Sequence, residues 1–485
     1  MKSDIGMIGL AVMGENLALN MERNGFRVSV YNRAEGAEVH VVKNFIEGRG
    51  ANKNFQGFTD LKAFADSLEK PRKIMMMIRA GKAVDMVIQS LLPYLEAGDI
   101  IIDGGNSNWE DSQRRTALLS ENNIHFVGAG ISGGEEGALN GPSIMPGGDI
   151  EAWTHIAPIF TKIAAKAEDG TPCCNWIGTG GAGHFVKMVH NGIEYGDMQL
   201  ISEVYGIMKN QGSFTNEEMS QVFRQWNKGK LNSYLIEITS AILAHRTEQG
   251  AYLIDLILDK AGQKGTGKWS VINSLEYGSP LNLIATAVYE RSLSSRKELR
   301  IQASKAFPRP LTLTTEKETL VAQLEACLYA SKLVSYAQGF ALMKEASEQN
   351  QWNLNLSAIA KVWRGGCIIR SAFLNEIAQA YKSSPTLPHL LLHPYFQKEI
   401  TALLPAWKQV VADATLGGVP AQAFSTALHY FYSLTTENLP ANMIQAQRDY
   451  FGAHTFERID QPAGVFFHED WTGKGGNTSS TTYNV

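Results

Sequence analysis

The sequence predicts an α/β domain built on a doubly wound parallel sheet, followed by a large all-α domain and a C-terminal arm. In the first part of the chain, short apolar runs alternate with helical stretches. After Gly183 long helical stretches follow and strand-like runs become scarce. A break at Pro440 ends the helical pattern. We therefore place the domains at 1–180, 181–437 and 438–485.

The N-terminal strands can be located one by one, because Gly, Asn or Asp follows each apolar run. The runs that predict buried parallel strands are residues 5–8, 28–31, 74–78, 100–102 and 126–127. Another apolar run, Leu253 to Leu258, fits strand or helix by periodicity, and its helical neighbours favour helix. Residues from about Thr472 onward are mostly Gly, Ser, Thr and Asn, which favours a mobile tail.

The helical region contains an internal repeat, which predicts a duplicated helical unit. One copy runs from Lys187 through Trp226 to Ile238, and the other from Lys332 through Trp363 to Ile377. The two lysine-to-tryptophan spacings differ by eight residues, so one copy must carry an insertion. Chance similarity between helices of similar composition is the alternative.

Composition excludes several classes of protein. The chain has 485 residues, with 44 Lys plus Arg against 48 Asp plus Glu, a balance that argues against a nucleic-acid partner. It shows no signal peptide and no apolar stretch of about 18 residues, so we expect no membrane association. Four cysteines without a Cys-x-x-Cys pair fit a reducing compartment, and no spacing indicates a metal site. We expect a cytoplasmic protein.

A glycine-rich turn, Gly9 to Gly14, follows the first strand and opens a helix. Its form is G-x-A-x-x-G: Gly9 makes the tight turn, Ala11 lets the backbone approach a pyrophosphate, and Gly14 lets helix and strand pack closely. Such a hexapeptide is weak evidence by itself. Its position directly after the first strand favours a dinucleotide site and a Rossmann-type domain.

The residues at the end of the second strand indicate which dinucleotide the site binds. An NAD site usually has Asp or Glu there to accept a hydrogen bond from the ribose 2′-hydroxyl. This chain has Asn32 and Arg33 instead. A guanidinium can bind a 2′-phosphate with two parallel hydrogen bonds, so the sequence favours NADP. A solvated surface arginine is the alternative.

One helix face carries the candidate chemistry. Lys187, His190, Asn191 and Glu194 fall at i, i+3, i+4 and i+7, so they share one stripe. A lysine, a carboxylate and two hydrogen-bonding groups can perform acid–base chemistry on a sugar. The alternative is a solvated face with an ordinary Lys–Glu pair.

The repeat bears on this choice between a functional and a solvated face. Aligned on its lysine, the second copy keeps Lys332 but has Ser335, Tyr336 and Gly339 at the three other positions. If the repeat is real, the fold does not need His190, Asn191 and Glu194, and we expect them to be functional.

Three glycine-rich segments are candidate anion loops. Ser132 to Gly134, Gly141 to Ser143 and Pro146 to Gly148 follow a strand, where backbone amides can face an anion; plain turns are the alternative. The segment Gly262 to Lys268 nearly matches a P-loop but is followed by Trp269 instead of Ser or Thr, so we reject that interpretation. It could still bind a phosphate monoester, or be a hinge.

In these motifs and their order, the chain resembles the 6-phosphogluconate dehydrogenase family from end to end. The family has a Rossmann domain, a duplicated all-helical domain and a C-terminal arm that threads through the partner subunit of a homodimer. The segments that carry the resemblance are Gly9–Gly14, Tyr31–Arg33, Asp103–Ser107, Ser132–Gly137, Lys187–Tyr195, Lys264–Trp269 and Gln447–His454.

The resemblance implies oxidative decarboxylation of 6-phospho-D-gluconate to D-ribulose 5-phosphate and CO₂, with NADP reduced to NADPH, in the pentose phosphate pathway. Lys187 would be the general base and then acid at the 3-hydroxyl, and Glu194 the acid at C1. The implied cofactor-binding residues are Gly9, Ala11, Met13, Gly14, Asn32, Arg33, Arg79 and Asn106. The implied substrate-binding residues are Asn106, Ser132, Gly133, Gly134, His190, Asn191, Tyr195, Lys264, Thr266, Arg291, Arg448 and His454, the last two from the other subunit.

The chain departs from the family pattern at two cofactor positions. Ala34 stands where the family often has Thr, and Arg79 where it often has Lys. Two rival functions fit the sequence less well. A dehydrogenase of a small acid without phosphate is disfavoured by Lys264, Arg291 and Arg448. A non-enzymatic NADP-binding protein is disfavoured by the Lys187/Glu194 pair.

Overall fold

The computed structural model describes residues 1–308, 316–475 and 479–480. The chain divides into two compact units, Met1–Ala427 and Leu428–Val485. The boundaries at 180 and 437 remain sequence predictions, and most of the expected mobile tail lies outside the described residues.

The first unit begins with an eight-stranded sheet in the order β3-β2-β1-β4-β5-β6-β7-β8. Its strands are β1 Ile5–Ile8, β2 Val28–Tyr31, β3 Phe55–Phe58, β4 Lys73–Met76, β5 Ile100–Asp103, β6 His125–Ser132, β7 Ser143–Gly148 and β8 Gly178–Thr179. Within this sheet β6 and β7 pair antiparallel, and the other neighbouring strands pair parallel. The five predicted strands are confirmed as β1, β2, β4, β5 and β6, and the order from β3 to β6 is that of a doubly wound fold.

Alternation along the strands buries both faces of this sheet. In β5, Ile100 and Ile102 belong to one hydrophobic cluster, and Ile101 belongs to the cluster on the opposite face. Helices follow the strands and cover the two faces. They are α1 Val12–Arg23, α2 Val41–Glu47, α3 Leu61–Asp66, α4 Lys82–Leu91, α5 Trp109–Ser120, α6 Gly134–Asn140 and α7 Ile150–Ile163.

The prediction of an anion-binding loop at Pro146 to Gly148 is wrong, because residues 143–148 form the buried strand β7. The glycines at its end serve close packing. A Cβ on Gly147 would overlap the backbone of Gly183, and one on Gly148 would overlap that of Phe126. Gly147 therefore lets β7 approach the segment that contains Gly183, and Gly148 lets β7 lie close to β6.

The helical region begins with a 29-residue helix. The helices are α8 Ala182–Asn210, α9 Asn216–Trp226, α10 Tyr234–Ala244, α11 Thr266–Glu276, α12 Asn282–Ser294, α13 Lys297–Ala306, α14 Lys317–Asn350, α15 Leu356–Val362, α16 Leu374–Ser383, α17 Pro394–Leu416 and α18 Gln422–Leu434. The ambiguous apolar run forms only a short 3₁₀ helix, Leu253–Leu256.

Reciprocal contacts between the two long helices confirm the duplication. Glu203 of α8 accepts hydrogen bonds from the amides of Ala423 (2.7 Å) and Phe424 (3.0 Å) at the start of α18. Gln338 of α14 accepts one from the amide of Leu283 (3.1 Å) at the start of α12. Each long helix thus caps a helix of the other copy, and Glu203 corresponds to Gln338.

This equivalence corrects the alignment on lysine. With Glu203 opposite Gln338, Lys187 corresponds to Ala322, and Asp197 corresponds to Lys332. Lys332 and Asp197 are both buried and form an ion pair across α8 and α14. The comparison with Ser335, Tyr336 and Gly339 was therefore wrong, because helices of similar composition match in more than one register.

The second compact unit contains α19 Ala441–Gly452 and a hairpin of β9 Phe456–Glu457 and β10 Phe466–Phe467. Pro440 directly precedes α19, as the predicted break requires. The unit is organised around the buried carboxylate of Asp449, which accepts hydrogen bonds from the Thr455 amide (2.9 Å), the Glu469 amide (3.1 Å) and the Trp471 indole (2.9 Å). Throughout the described residues, none of the helices has the length and apolarity needed to cross a membrane.

Candidate active site

The predicted acid–base stripe lies on α8, in the half of the helix that packs against β6 and β7. Lys187 is buried, and its Nζ is 3.3 Å from Nδ1 of His190, one turn further along. A Cβ on Gly130 of β6 would overlap the Lys187 side chain, so this glycine makes the space in which the lysine sits. The solvated-face alternative is therefore excluded for Lys187 and His190.

The imidazole of His190 joins three segments of the chain. Its Nε2 is 3.0 Å from the Ser132 hydroxyl at the end of β6 and 2.9 Å from Sγ of Cys367. Its Nδ1 is 2.9 Å from Oδ1 of Asn191. Sequence analysis missed Cys367, because nothing in the pattern around residue 367 indicates that this loop reaches a histidine on α8.

Burial sets the ionisation of this cluster. It lowers the pKa of Lys187, although the nearby Glu194 carboxylate and Cys367 oppose the shift. Burial, and then the adjacent Lys187, lower the pKa of His190 well below its ordinary value. Burial also raises the pKa of Glu194, against the influence of Lys187 and Arg291. The stripe thus holds a lysine able to lose its proton and a carboxylic acid able to keep one.

Ser132 and the two glycines after it form the turn from β6 into α6. Ser132 is buried, and its hydroxyl also accepts a 3.4 Å hydrogen bond from the amide of Ile368. Gly133 has φ +115° and Gly134 has φ +62°, conformations that residues with a Cβ rarely adopt. The turn therefore adjoins the His190 cluster through the Ser132 hydroxyl.

Several of the predicted phosphate residues surround Tyr195, which directly follows Glu194 on α8. The guanidinium of Arg291 lies 3.5 Å from the centre of the Tyr195 ring and donates to the carbonyl oxygen of Gly262 (2.9 Å). Thr266 is the buried first residue of α11, and the adjacent Gly267 packs against the Tyr195 ring. Lys264 lies in the same segment and is exposed.

The dinucleotide turn has the expected geometry. Gly9 has φ +95°, and a Cβ on Gly14 would overlap the carbonyl oxygen of Gly9. A cavity of about 290 Å³ opens beside the turn, lined by Ala11, Met13 and Asn106 together with residues after β4 and β5. The carboxyl ends of three neighbouring strands therefore meet at one crevice.

The loop carrying Asn106 is fixed by a buried acid. Asp103 accepts hydrogen bonds from the Gly105 amide (3.0 Å) and the Ser107 hydroxyl (2.6 Å). Arg115, which is 1% exposed, contacts Asp103 (3.3 Å) and donates to the carbonyl oxygen of Gly81 (3.0 Å). Sequence analysis missed Arg115, although it connects the loops that follow β4 and β5.

A carboxylate stands at the end of β2 after all. Glu38 accepts hydrogen bonds from Nε (3.1 Å) and Nη2 (3.0 Å) of Arg33, and from the side-chain amide of Asn32 (2.7 Å). Sequence analysis looked for an acid at position 32 and overlooked Glu38, because a bend and a 3₁₀ turn bring it back to the strand end.

Three further predicted residues lie on other segments of the chain. Arg79 is exposed on the segment after β4. Arg448 and His454 belong to the second compact unit, where Arg448 donates to Oε1 of Gln445 (2.9 Å) and the His454 ring packs against Phe451. Among the described residues, His, Cys, Asp and Glu form no group that could hold a metal ion.

A doubly wound sheet with a glycine-rich turn, joined to a helix carrying a buried lysine and a protonatable acid, defines a dinucleotide-dependent dehydrogenase. Residues 4–178 match the NAD binding domain of 6-phosphogluconate dehydrogenase, and residues 183–471 match its C-terminal domain. The chain belongs to the 6-phosphogluconate dehydrogenase family.

Individual relatives agree with this assignment. The chain is 54% identical to the decarboxylating 6-phosphogluconate dehydrogenase of Dictyostelium discoideum, covering 100% of this chain and 99% of that protein. It is 52% identical to the Treponema pallidum enzyme of the same name, over 100% of both. The solved Plasmodium falciparum 6-phosphogluconate dehydrogenase, studied in its apo form and with NADP⁺ and 6-phosphogluconate, superposes with a TM-score of 0.92 at 44% identity, covering 96% of this chain and 100% of that one.

Proposed function

We propose that Lys187 and Glu194 carry out the oxidative decarboxylation of 6-phospho-D-gluconate to D-ribulose 5-phosphate and CO₂, with NADP as oxidant. The reaction is that of the family to which the chain belongs. The observation that carries the assignment is the stripe on α8, where burial shifts a lysine toward its neutral form and a carboxylic acid toward its protonated form. One face then offers a base and an acid at the same pH.

The crevice fits a dinucleotide. The tight turn at Gly9, the close approach of Gly14 and the cavity beside Ala11 and Asn106 leave room for a pyrophosphate at the start of α1. We assign Gly9, Ala11, Met13, Gly14, Asn32, Arg33, Arg79 and Asn106 to cofactor binding. NADP⁺, when bound, accepts the hydride from C3 of the substrate.

Lys187 acts first as a base. In its neutral form it takes the proton of the 3-hydroxyl as C3 is oxidised. The lysine is then an ammonium beside the new 3-keto group, and it polarises that carbonyl. The carboxylate at C1 is β to the carbonyl, so the C1–C2 bond electrons move toward it as CO₂ leaves. Glu194 then delivers a proton to the carbon of the resulting enediol that carried the carboxylate.

The remaining residues hold the sugar acid. Ser132, Gly133, Gly134, His190, Asn191 and Asn106 would bind its carboxylate and hydroxyl groups. Tyr195, Lys264, Thr266 and Arg291 would bind the phosphate. The stacking of Arg291 on Tyr195 supports this, because it holds a guanidinium at one end of the stripe.

We assign Arg448 and His454 to a homodimer, in which they bind the phosphate of the substrate held by the other subunit. The arm itself supports docking on a partner, because α19 exposes Met443, Ile444, Tyr450 and Phe451, each at least 60% accessible. Large apolar side chains grouped on one short helix are typical of a buried interface. In the first unit, a cavity of about 1620 Å³ borders Arg291 and could receive such an arm from another copy.

A cytoplasmic location is part of the same proposal. The four cysteines all lie in the described part of the chain and are buried free thiols, as expected for a protein of a reducing compartment.

The direct test is NADPH formation by the purified protein with 6-phosphogluconate, with gluconate as the matched substrate lacking the phosphate. We expect NADPH and CO₂ in equal amounts from 6-phosphogluconate, and far weaker turnover of gluconate. NADPH without CO₂ would contradict the decarboxylation. Equal rates with both substrates would contradict the phosphate site.

A further inference from the structure

Arg33 is paired with the carboxylate of Glu38, five residues further along the chain. Its Nε and Nη2 both donate to Glu38, and these two nitrogens form one edge of the guanidinium. The hydrogen bond from Arg33, and then that from Asn32, keep the pKa of Glu38 below its ordinary value, so Glu38 is a carboxylate. The arginine therefore does not present an isolated positive charge to a ligand.

Asn32 fixes the position of this carboxylate relative to the dinucleotide turn. Its side-chain amide donates to Glu38, and its Oδ1 accepts a 3.2 Å hydrogen bond from the amide of Leu10 within the turn. Asn32 is buried, and both of its polar atoms are engaged in this bridge. Glu38 is thus tied to the strand end at which the adenosine ribose of a dinucleotide lies in this type of domain.

This arrangement has opposite consequences for the two cofactors. A 2′-phosphate must share or displace the guanidinium edge that Glu38 occupies, and it meets a like charge there. A free 2′-hydroxyl can instead donate a hydrogen bond to the Glu38 carboxylate, the role that an acid at the end of the second strand has in NAD sites.

We propose that Glu38 is a specificity-determining residue that lowers the preference for NADP over NAD, by competing with the 2′-phosphate for Arg33 and by accepting a hydrogen bond from the 2′-hydroxyl. The proposal rests on the cofactor site assigned above. It adds that this chain uses NAD as a second, weaker cofactor, and that one side chain sets the ratio.

The test compares Glu38→Gln with Glu35→Gln. Glu35 is an exposed carboxylate on the same short segment, and within the described residues 32–38 only Glu38 accepts hydrogen bonds from Arg33. Binding of NADP⁺ and NAD⁺ is measured by titration calorimetry without substrate. The ratio of kcat/KM for the two cofactors is measured with 6-phosphogluconate.

We expect Glu38→Gln to tighten NADP⁺ binding and weaken NAD⁺ binding, raising the ratio about tenfold, the effect of one charged hydrogen bond. Glu35→Gln should change the ratio less than about twofold, as exposed charges do. An unchanged ratio in Glu38→Gln overturns the proposal, as does an equal change in Glu35→Gln. Weaker NADP⁺ binding in Glu38→Gln also overturns it, because Glu38 would then be orienting Arg33 for the phosphate.

The proposed reaction and the proposed role of Glu38 can be contradicted independently of each other. If calorimetry shows the expected shift but the wild-type protein does not oxidise 6-phosphogluconate, the specificity role of Glu38 stands and the proposed reaction is wrong. If the wild type is active and the binding ratio does not move, the reaction stands and the role of Glu38 is wrong.

Discussion

Lys187 Nζ lies 3.3 Å from Nδ1 of His190, one turn along the same helix, and both side chains are buried. The same burial that lowers the pKa of the lysine also keeps the imidazole neutral. A neutral His190 adds no positive charge of its own beside Lys187, and its ring is held by Ser132 and Cys367. Lys187 is the proposed base, and His190 is the neighbour that keeps it in a neutral, buried surrounding.

The Lys187→Ala variant is expected to lose oxidation by about 10²- to 10⁴-fold, the usual contribution of a general base. NADP⁺ binding, measured by calorimetry, should be nearly unchanged. Lys187→Arg should be as inactive as Lys187→Ala, because an arginine side chain keeps its proton near neutral pH and cannot act as a base. If Lys187→Ala oxidises the substrate within about tenfold of the wild type, a difference of only about 1.4 kcal/mol, another group is the base.

Glu194→Gln is expected to impair the step after decarboxylation most. The amide keeps the shape of the side chain but cannot deliver a proton to C1. Incorporation of solvent deuterium at C1 of the product should slow more than hydride transfer does, and mass spectrometry of the pentose phosphate measures it. Normal incorporation together with lost hydride transfer would assign Glu194 to substrate binding instead.

If each site is shared between two subunits, as we propose, two impaired variants should restore activity when their subunits mix. In a dimer of one Lys187→Ala chain and one Arg448→Ala chain, one site receives both defects and the other receives neither. The Arg448 contact to a phosphate is a charge-assisted bond, worth about 1.5–3 kcal/mol. The two variants are refolded together, and tags of different mass confirm the exchange. Demonstrated mixed dimers without regained activity would mean that the arm serves its own subunit.

Glu203 gives a prediction about pH and stability. Burial raises its pKa from 4.5 to about 7. Between these values the folded state retains a proton that the unfolded state has lost, so the free energy of unfolding falls as pH rises through this window and levels off above it. Glu203→Gln removes this titration, and the second copy already has Gln338 at the equivalent position.

The Tm of Glu203→Gln relative to wild type should therefore increase from about pH 5 to about pH 8. Differential scanning calorimetry at several pH values measures it, with Glu217→Gln, an exposed carboxylate on α9, as the control. A Tm difference that is constant with pH would show that Glu203 does not titrate in this window.

Local features of the sequence determined much of this molecule. The alternation of apolar residues predicted five of the strands, and the spacing of Lys187, His190, Asn191 and Glu194 placed them on one face of a helix. Both inferences succeed because helix and strand periodicities depend only on neighbours along the chain. The turn at Gly9 was predictable for the same reason, since a positive φ selects glycine locally.

Other features appear only when distant segments pack. Cys367 reaches His190 across 177 residues, and Ser132 reaches it across 58. The strand β7 was mistaken for a loop because its glycines are required by close backbone packing and not by a turn. Gly147 packs against the backbone of Gly183, and Gly148 packs against that of Phe126. The register of the duplication was likewise fixed by Glu203 and Gln338, each capping a helix of the other copy.

The sequence alone therefore determined the fold class, the dinucleotide turn and the helix face on which the proposed acid and base stand. The tertiary structure decided their ionisation and surroundings: the burial that shifts the pKa of Lys187 and Glu194, and the carboxylate of Glu38 on Arg33. The physical reason is that periodicity and backbone conformation are set by covalent neighbours, whereas desolvation and charge pairing depend on groups that only folding brings together.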